Sequence, residues 1–169
     1  TVRDVDRAEY ADFTEYTWSP DSRWLAYTKT EANGMSAIWA WSADSGVATG
    51  LTSGAYDEWS PAFDPEGRYL FLLSNRDFGG LTRGAYDNTF VYTKATRIYA
   101  ATLAADAPPY DAFLTDEAAP VVTGKKDDEK DAAKKKPVRF DPAGFDRRLV
   151  PLDLPASGYD ALTASADAV

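Results

Sequence analysis

Tyr16-Thr17-Trp18-Ser19-Pro20-Asp21-Ser22-Arg23-Trp24-Leu25-Ala26-Tyr27 is the stretch on which the reading of this chain turns. It runs aromatic strand, tight turn, aromatic strand, and the chain then repeats itself. Trp59-Ser60-Pro61-Ala62-Phe63-Asp64-Pro65-Glu66-Gly67-Arg68-Tyr69-Leu70-Phe71 carries the same order of residue types. Pro20 matches Pro65, Asp21 matches Glu66, Arg23 matches Arg68, Trp24 matches Tyr69 and Leu25 matches Leu70, always 45 residues apart. Proline presets φ at the first corner of the turn, an acidic residue follows, and Ser22 or Gly67 takes the relaxed position after it. The flanking runs 24–28 and 69–73 are aromatic and aliphatic, which suits strands covered on both faces.

A period of roughly 40–45 residues is that of a four-stranded β-propeller blade, whose neighbours pack on each face. Residues 12–19, 24–30, 37–42 and 47–52 read as the four strands of a first blade. Asn33-Gly34 supplies a hairpin signal between the second and third. Residues 58–63 and 69–74 open a second blade. Its third strand is read at 95–103, where Arg97-Ile98-Tyr99-Ala100 echoes Ala37-Ile38-Trp39-Ala40 at a spacing of 60 instead of 45. The excess is an insertion at 77–94 that holds Phe78, Tyr86, Phe90 and Tyr92, expected to pack on the propeller face or a neighbour. Residues 111–122 are ambiguous. Residues 124–136 are a mixed-charge run, expected to be disordered or a frayed helix. Residues 138–140 and 148–154 read as strands, and 158–163 as the start of a unit that the run to Val169 leaves cut. The expected fold is all-β: a partial β-propeller of about two four-stranded antiparallel blades plus the start of a third. Its segments are a blade at 1–56, a blade at 57–122 with the aromatic insertion, a charged linker at 123–137, and closing strands with the next blade's start at 138–169.

Composition narrows the chemistry. The sequence has 169 residues, 14% of them aromatic, and a net charge of −9 with a pI near 4.5. That balance argues against a nucleic-acid partner. Cysteine is absent, so disulfides, zinc–thiolate sites and thiol nucleophiles are excluded, and the compartment is left open. Histidine is absent too, and with it a Ser-His-Asp triad or a histidine metal site. The first residues are charged and show no signal peptide, and the longest apolar run, 69–73, is far too short to span a bilayer.

Each candidate site has a plainer reading beside the functional one. Asp127, Asp128, Glu129 and Asp131 lack the alternating donors, glycine turn and distal Glu of a calcium loop, and read as a solvated charge run. Trp18, Trp24, Trp39, Trp41 and Trp59 lie in strand patterns and read as packing between blades. Asn75-Arg76-Asp77 sits at a strand end, where a propeller face binds partners; it reads as a peptide contact or as a structural turn. No Gly-x-Ser-x-Gly elbow, Ser-x-x-Lys pair or phosphate loop occurs. No catalytic residue, cofactor or metal is expected.

On these residues the chain resembles the propeller region of tricorn-type serine proteases. The likeness rests on the 16–27 phrase, Leu73-Ser74-Asn75-Arg76-Asp77-Phe78, Thr96-Arg97-Ile98-Tyr99-Ala100, and the stretch from Phe140-Asp141 to Val150-Pro151-Leu152-Asp153-Leu154-Pro155-Ala156. The charged insertion is similar to one that bacterial members carry. The resemblance implies a large multidomain peptidase whose propellers are non-catalytic and filter or guide peptides, with the peptidase domain further along the chain. Its implied partners are peptides or unfolded protein segments and other domains of the same polypeptide. The blade phrase alone also fits TolB-type binding propellers, with no peptidase, and the caps of prolyl-oligopeptidases. Exposed strand edges and faces lead to an expectation of self-association.

Overall fold

The computed structural model describes residues 2–77, 81–83, 90–92, 95–110 and 136–165. β1 (Tyr16–Trp18), β2 (Trp24–Thr30), β3 (Ser36–Ser42) and β4 (Ala48–Gly50) form one antiparallel sheet in chain order. β5 (Glu58–Phe63) and β6 (Tyr69–Ser74) open a second. A two-stranded ribbon of β7 (Leu81–Arg83) and β8 (Phe90–Tyr92) follows, then β9 (Arg97–Thr102), a 3-10 helix (Phe145–Arg148) and β10 (Val150–Pro151). The second sheet has the order β10-β9-β6-β5. The fold is all-β, with two four-stranded antiparallel sheets, as the repeat predicts.

The repeated phrase folds the same way twice. Ser22 N–H donates to Ser19 O and Ser19 N–H to Trp24 O, both at 2.8 Å. Gly67 N–H donates to Asp64 O at 2.8 Å and Asp64 N–H to Tyr69 O at 3.0 Å. Ser22 and Gly67 have φ of 61° and 70°, the left-handed conformation that closes this corner. At Gly67 space adds a second demand: a Cβ there would lie 2.5 Å from Val138 Cγ2.

Strand alternation then sorts side chains between faces. Ala26, Ile38 and Ala40 from the first sheet, with Leu51 just past β4, meet Phe63, Leu70, Leu72, Tyr99 and Ala101 from the second in one buried core. On the far face of the second sheet, Phe71, Leu73, Ile98 and Ala100 are packed by Trp59, Tyr69, Tyr110, Tyr159, Leu162 and Ala164.

Several strand readings need correction. The first strand covers only Tyr16–Trp18 of residues 12–19. Residues 138–140 make no strand, because their polar and apolar groups are both taken elsewhere. Val138 N–H donates to Asp21 Oδ2 at 2.6 Å, across from the first turn. Phe140 plugs the inter-sheet core, edge-on to Trp24 at 4.8 Å and close to Phe63 and Phe145. Of residues 148–154 only Val150–Pro151 forms a strand, and it is the outer strand of the second sheet. Val150 pairs with Ala100 and Pro151 with Tyr99, as Thr49 pairs with Ala40 and Gly50 with Trp39. Proline is tolerated there because the strand lies at the sheet edge. The insertion at 77–94 holds the β7–β8 ribbon, in register Leu81↔Tyr92 and Arg83↔Phe90. Phe78, Tyr86, the ambiguous 111–122 and most of the charged run, 123–135, lie outside the described residues.

Candidate functional site

The polar cluster read from the sequence sits where β6 ends, beside the first residues of β5 and β9. Ser74 closes β6 and its hydroxyl works in both directions. It donates to Glu58 Oε1 at 3.1 Å and accepts from the Arg76 backbone N–H and Nε, each at 3.2 Å. The Arg76 guanidinium lies between the Glu58 carboxylate and Asp146 Oδ1, the latter at 2.9 Å. The rings of Tyr56 and Tyr99 lie 5.3 and 5.1 Å from it. Glu58 is completely buried, and its Oε2 has no hydrogen-bond partner among the described residues. Burial pulls the Arg76 pKa down, but hydrogen bonds to Glu58 and Asp146 outweigh it and hold the group charged.

Asn75 and Asp77 are engaged on either side. Asn75 N–H donates to Asp57 O at 3.1 Å, and Thr96 Oγ1 donates to Asn75 Oδ1 at 2.8 Å. Asp77 Oδ2 lies 3.0 Å from Arg97 Nε. The Tyr99 hydroxyl is pushed up to about 12, first by burial and then by the charge and hydrogen bond of Asp77. The cluster therefore joins β5, β6, β9 and the 3-10 helix through opposed charges. Chemically it can balance and hold charge, with the Ser74 and Thr96 hydroxyls donating to Glu58 and Asn75. Asp146 was invisible from the sequence, standing 70 residues from Arg76 in an unpatterned stretch.

A second concave region lies on the far face of the first sheet. A cavity of about 380 Å³ is lined by Val5, Asp6, Phe13, Tyr16, Trp18, Leu25 and Tyr27. Asp6 Oδ2 accepts from the Tyr27 hydroxyl at 2.7 Å and from Lys29 Nζ at 2.8 Å. Burial would raise the Asp6 carboxyl, yet these hydrogen bonds and the Lys29 charge hold it below the usual carboxylate range. Burial and Asp6 together push the Tyr27 phenol upward. Asp6 lies among the charged first residues, and nothing in that stretch marks it as a partner of β2. A smaller cavity of about 280 Å³ is flanked by Arg68 and Arg139. Asp64 and Glu66 pair with the first, and Asp106 and Asp141 with the second.

The tryptophans divide between these regions. Trp24 packs on the inter-sheet core and Trp59 on the far face of the second sheet. Trp39 donates to Glu31 at 2.8 Å beneath Lys29, while exposed Trp18 stands edge-on to buried Trp41. No group of three or more His, Cys, Asp or Glu side chains gathers to hold a metal among the described residues. Asp127, Asp128, Glu129 and Asp131 lie outside them.

Comparison with known proteins matches residues 1–169 to the family described as "Tricorn protease second beta propeller domain". Tricorn protease homolog 1 of Streptomyces coelicolor is 30% identical over 170 residues, covering 99% of this chain and 16% of that protein. The tricorn protease homolog of Saccharolobus solfataricus is 38% identical over 75 residues, 44% of this chain and 7% of its own length. The chain thus spans well under a fifth of either relative. Among solved structures, tricorn protease superposes with a TM-score of 0.72 at 18% identity, covering 95% of this chain and 15% of that one, a likeness of fold. The chain belongs to the tricorn protease second β-propeller family.

Proposed function

We propose that this chain is a non-catalytic propeller segment that filters or guides peptides for a peptidase domain outside it. The observation that carries this reading is a family match across all of residues 1–169 by a chain without a single histidine. Within that role, Asn75, Arg76 and Asp77 act as a structural closure of the second sheet, since their polar groups are taken by Asp57, Thr96, Glu58, Asp146 and Arg97. Arg97 and Asp77 are the more exposed pair of the cluster and offer a peptide both signs of charge. The open face around Leu25 and Tyr27 receives another sheet of the parent polypeptide. Its support is that Leu70 and Leu72, their counterparts 45 residues on, are fully buried between sheets.

Fluorescence anisotropy with labelled unstructured peptides, alongside mass spectrometry of the same mixtures, tests the reading. Weak binding without cleavage is expected, and Arg97→Ala reduces that binding while changing stability by about 1 kcal/mol or less. Arg76→Met is expected to cost about 3–5 kcal/mol in urea unfolding, because it strands the buried Glu58 carboxylate. Cleavage by this chain alone overturns the non-catalytic assignment. Absence of peptide binding overturns the guiding role.

A further inference from the structure

Glu15 lies just before β1 and reaches out of its own sheet. Its Oε2 accepts the backbone N–H of Ser60 at 2.6 Å, together with the Thr28 hydroxyl at 3.2 Å. Ser60 in turn holds something further along: its Oγ accepts the backbone N–H of Leu162 at 2.8 Å. Glu15 and Ser60 are 45 residues apart, the spacing of the turn phrase, so they occupy the same place in the two sheets. Both bonds run from a side-chain oxygen of one unit to a main-chain N–H of the next.

The local geometry at Ser60 serves that bond. The β5–β6 ladder steps from Trp59↔Leu73 to Ala62↔Phe71, leaving Ser60 and Pro61 in a bulge. Ser60 has φ of 52°, a left-handed conformation that serine seldom adopts, and Pro61 has no N–H to lose. The bulge takes the Ser60 N–H off the ladder with β6 and leaves it to Glu15. Beyond Leu162, Trp59 Nε1 donates to Asp160 O at 3.3 Å, and Tyr159, Leu162 and Ala164 pack on the far face of the second sheet.

We propose that positions 15 and 60 are register pins, each making a directed polar bond that fixes where the next unit's inner edge docks. Apolar faces need such a device. A slip by two residues along a strand keeps the same side chains facing the neighbour, so burial alone specifies register weakly, whereas one directed bond distinguishes the positions. On this assignment the chain around Leu162 takes, on the second sheet, the place that β5 takes on the first. The inference rests on the described bonds and is independent of any peptide-guiding role.

Amide hydrogen exchange resolved by residue tests it, with amides of the β2–β3 ladder as the reference for global opening. Glu15→Ala is expected to accelerate exchange at position 60 by about tenfold or more over that reference, and Glu15→Gln, which keeps an acceptor, to restore most of the protection. Ser60→Ala is expected to expose the Leu162 amide to the same degree while the amide at position 60 stays protected. Ser60→Gly relieves the backbone conformation but removes the hydroxyl, so Leu162 loses protection without a fall in global stability. Uniform acceleration across ladder, position 60 and Leu162, or no change at either pinned amide, overturns the proposal.

Discussion

The far faces of the two sheets are opposite faces of the repeated unit, Phe71 being the counterpart of inward-facing Ala26, and they meet different fates. On the second sheet Phe71, Leu73, Ile98 and Ala100 are covered by Tyr110 and by residues 159–164. On the first, Tyr16 and Trp18 are left 71% and 47% exposed around a cavity of about 380 Å³. Trp18 corresponds to Phe63, which is only 6% exposed in the inter-sheet core. Equivalent residues in equivalent strands are thus open or closed according to what lies across from them. Burial here belongs to the neighbour and not to the strand. In a repeat architecture each unit contributes half of two interfaces, so the energetic meaning of a position is set one unit away.

The largest expected contrast follows from that difference. Leu70→Ala removes a fully buried side chain between sheets and is expected to cost about 2–5 kcal/mol. Leu25→Ala, its counterpart on the open face, is expected to cost less than about 1 kcal/mol. Urea unfolding of the two variants measures both. Equal losses would mean that the first sheet's far face is closed in solution.

The paired turns sharpen the comparison. Gly67→Ala combines a left-handed φ with a Cβ 2.5 Å from Val138, and is expected to cost about 2–4 kcal/mol from conformational strain and overpacking together. At the matching corner, Ser22→Gly relieves strain without touching a plug and is expected to gain roughly 0.5–1 kcal/mol. A Gly67→Ala cost no greater than that of Gly46→Ala, where nothing stands within 4 Å, would show that Val138 yields easily.

Acid acts on both regions in the same sense. Burial tends to raise the Asp21 carboxyl, but hydrogen bonds from Ser19, the Val138 N–H and the Arg23 N–H hold it below the ordinary value. Asp6 on the open face is held down in the same sense. A carboxyl depressed by folding stabilises the protein fully above its unfolded pKa, about 3.9, and that stability is lost as pH falls through the lower folded value. Unfolding free energy is therefore expected to drop below about pH 4. Asp21→Asn, which cannot titrate, is expected to flatten that drop, with about 1.5–3 kcal/mol lost already at neutral pH as the charged acceptor of Val138 disappears. A steep acid drop that persists unchanged in this variant would remove Asp21 from the account.

What the sequence showed, and what it hid, follows the same division between local and distant. The turn at Ser19–Arg23 and its copy are legible because a few consecutive residues dictate the corner. The equivalence of Ile38 and Ile98 is legible through an insertion because residues 97–100 repeat a short apolar phrase. The outer strand of the second sheet is hard to place, since only two residues pair and they return 48 residues after Thr102. The plug at Val138 and Phe140 looks like a strand because burial between sheets selects the same residue types as burial within one. At the candidate site, Asn75, Arg76 and Asp77 were visible as a polar strand end. Glu58 and Asp146, which decide what Arg76 does, are distant in sequence and carry no motif.

The smallest effect concerns the open face itself. Tyr16 and Trp18 form an exposed aromatic edge beside Phe13 and Leu25, the composition of a surface that closes against another sheet. Replacing Tyr16 and Trp18 together by lysine is expected to leave unfolding within about 0.5 kcal/mol of the parent, since neither fills a core. The same variant is expected to lower self-association in sedimentation velocity at high concentration, because two charges on one edge repel a second copy and resist burial. A parent chain that stays strictly monomeric at every concentration would show that this edge does not drive association. Association that survives the lysines would move the contact to the remaining strand edges of β4 or β10, outside the face that the repeat predicts to be shared.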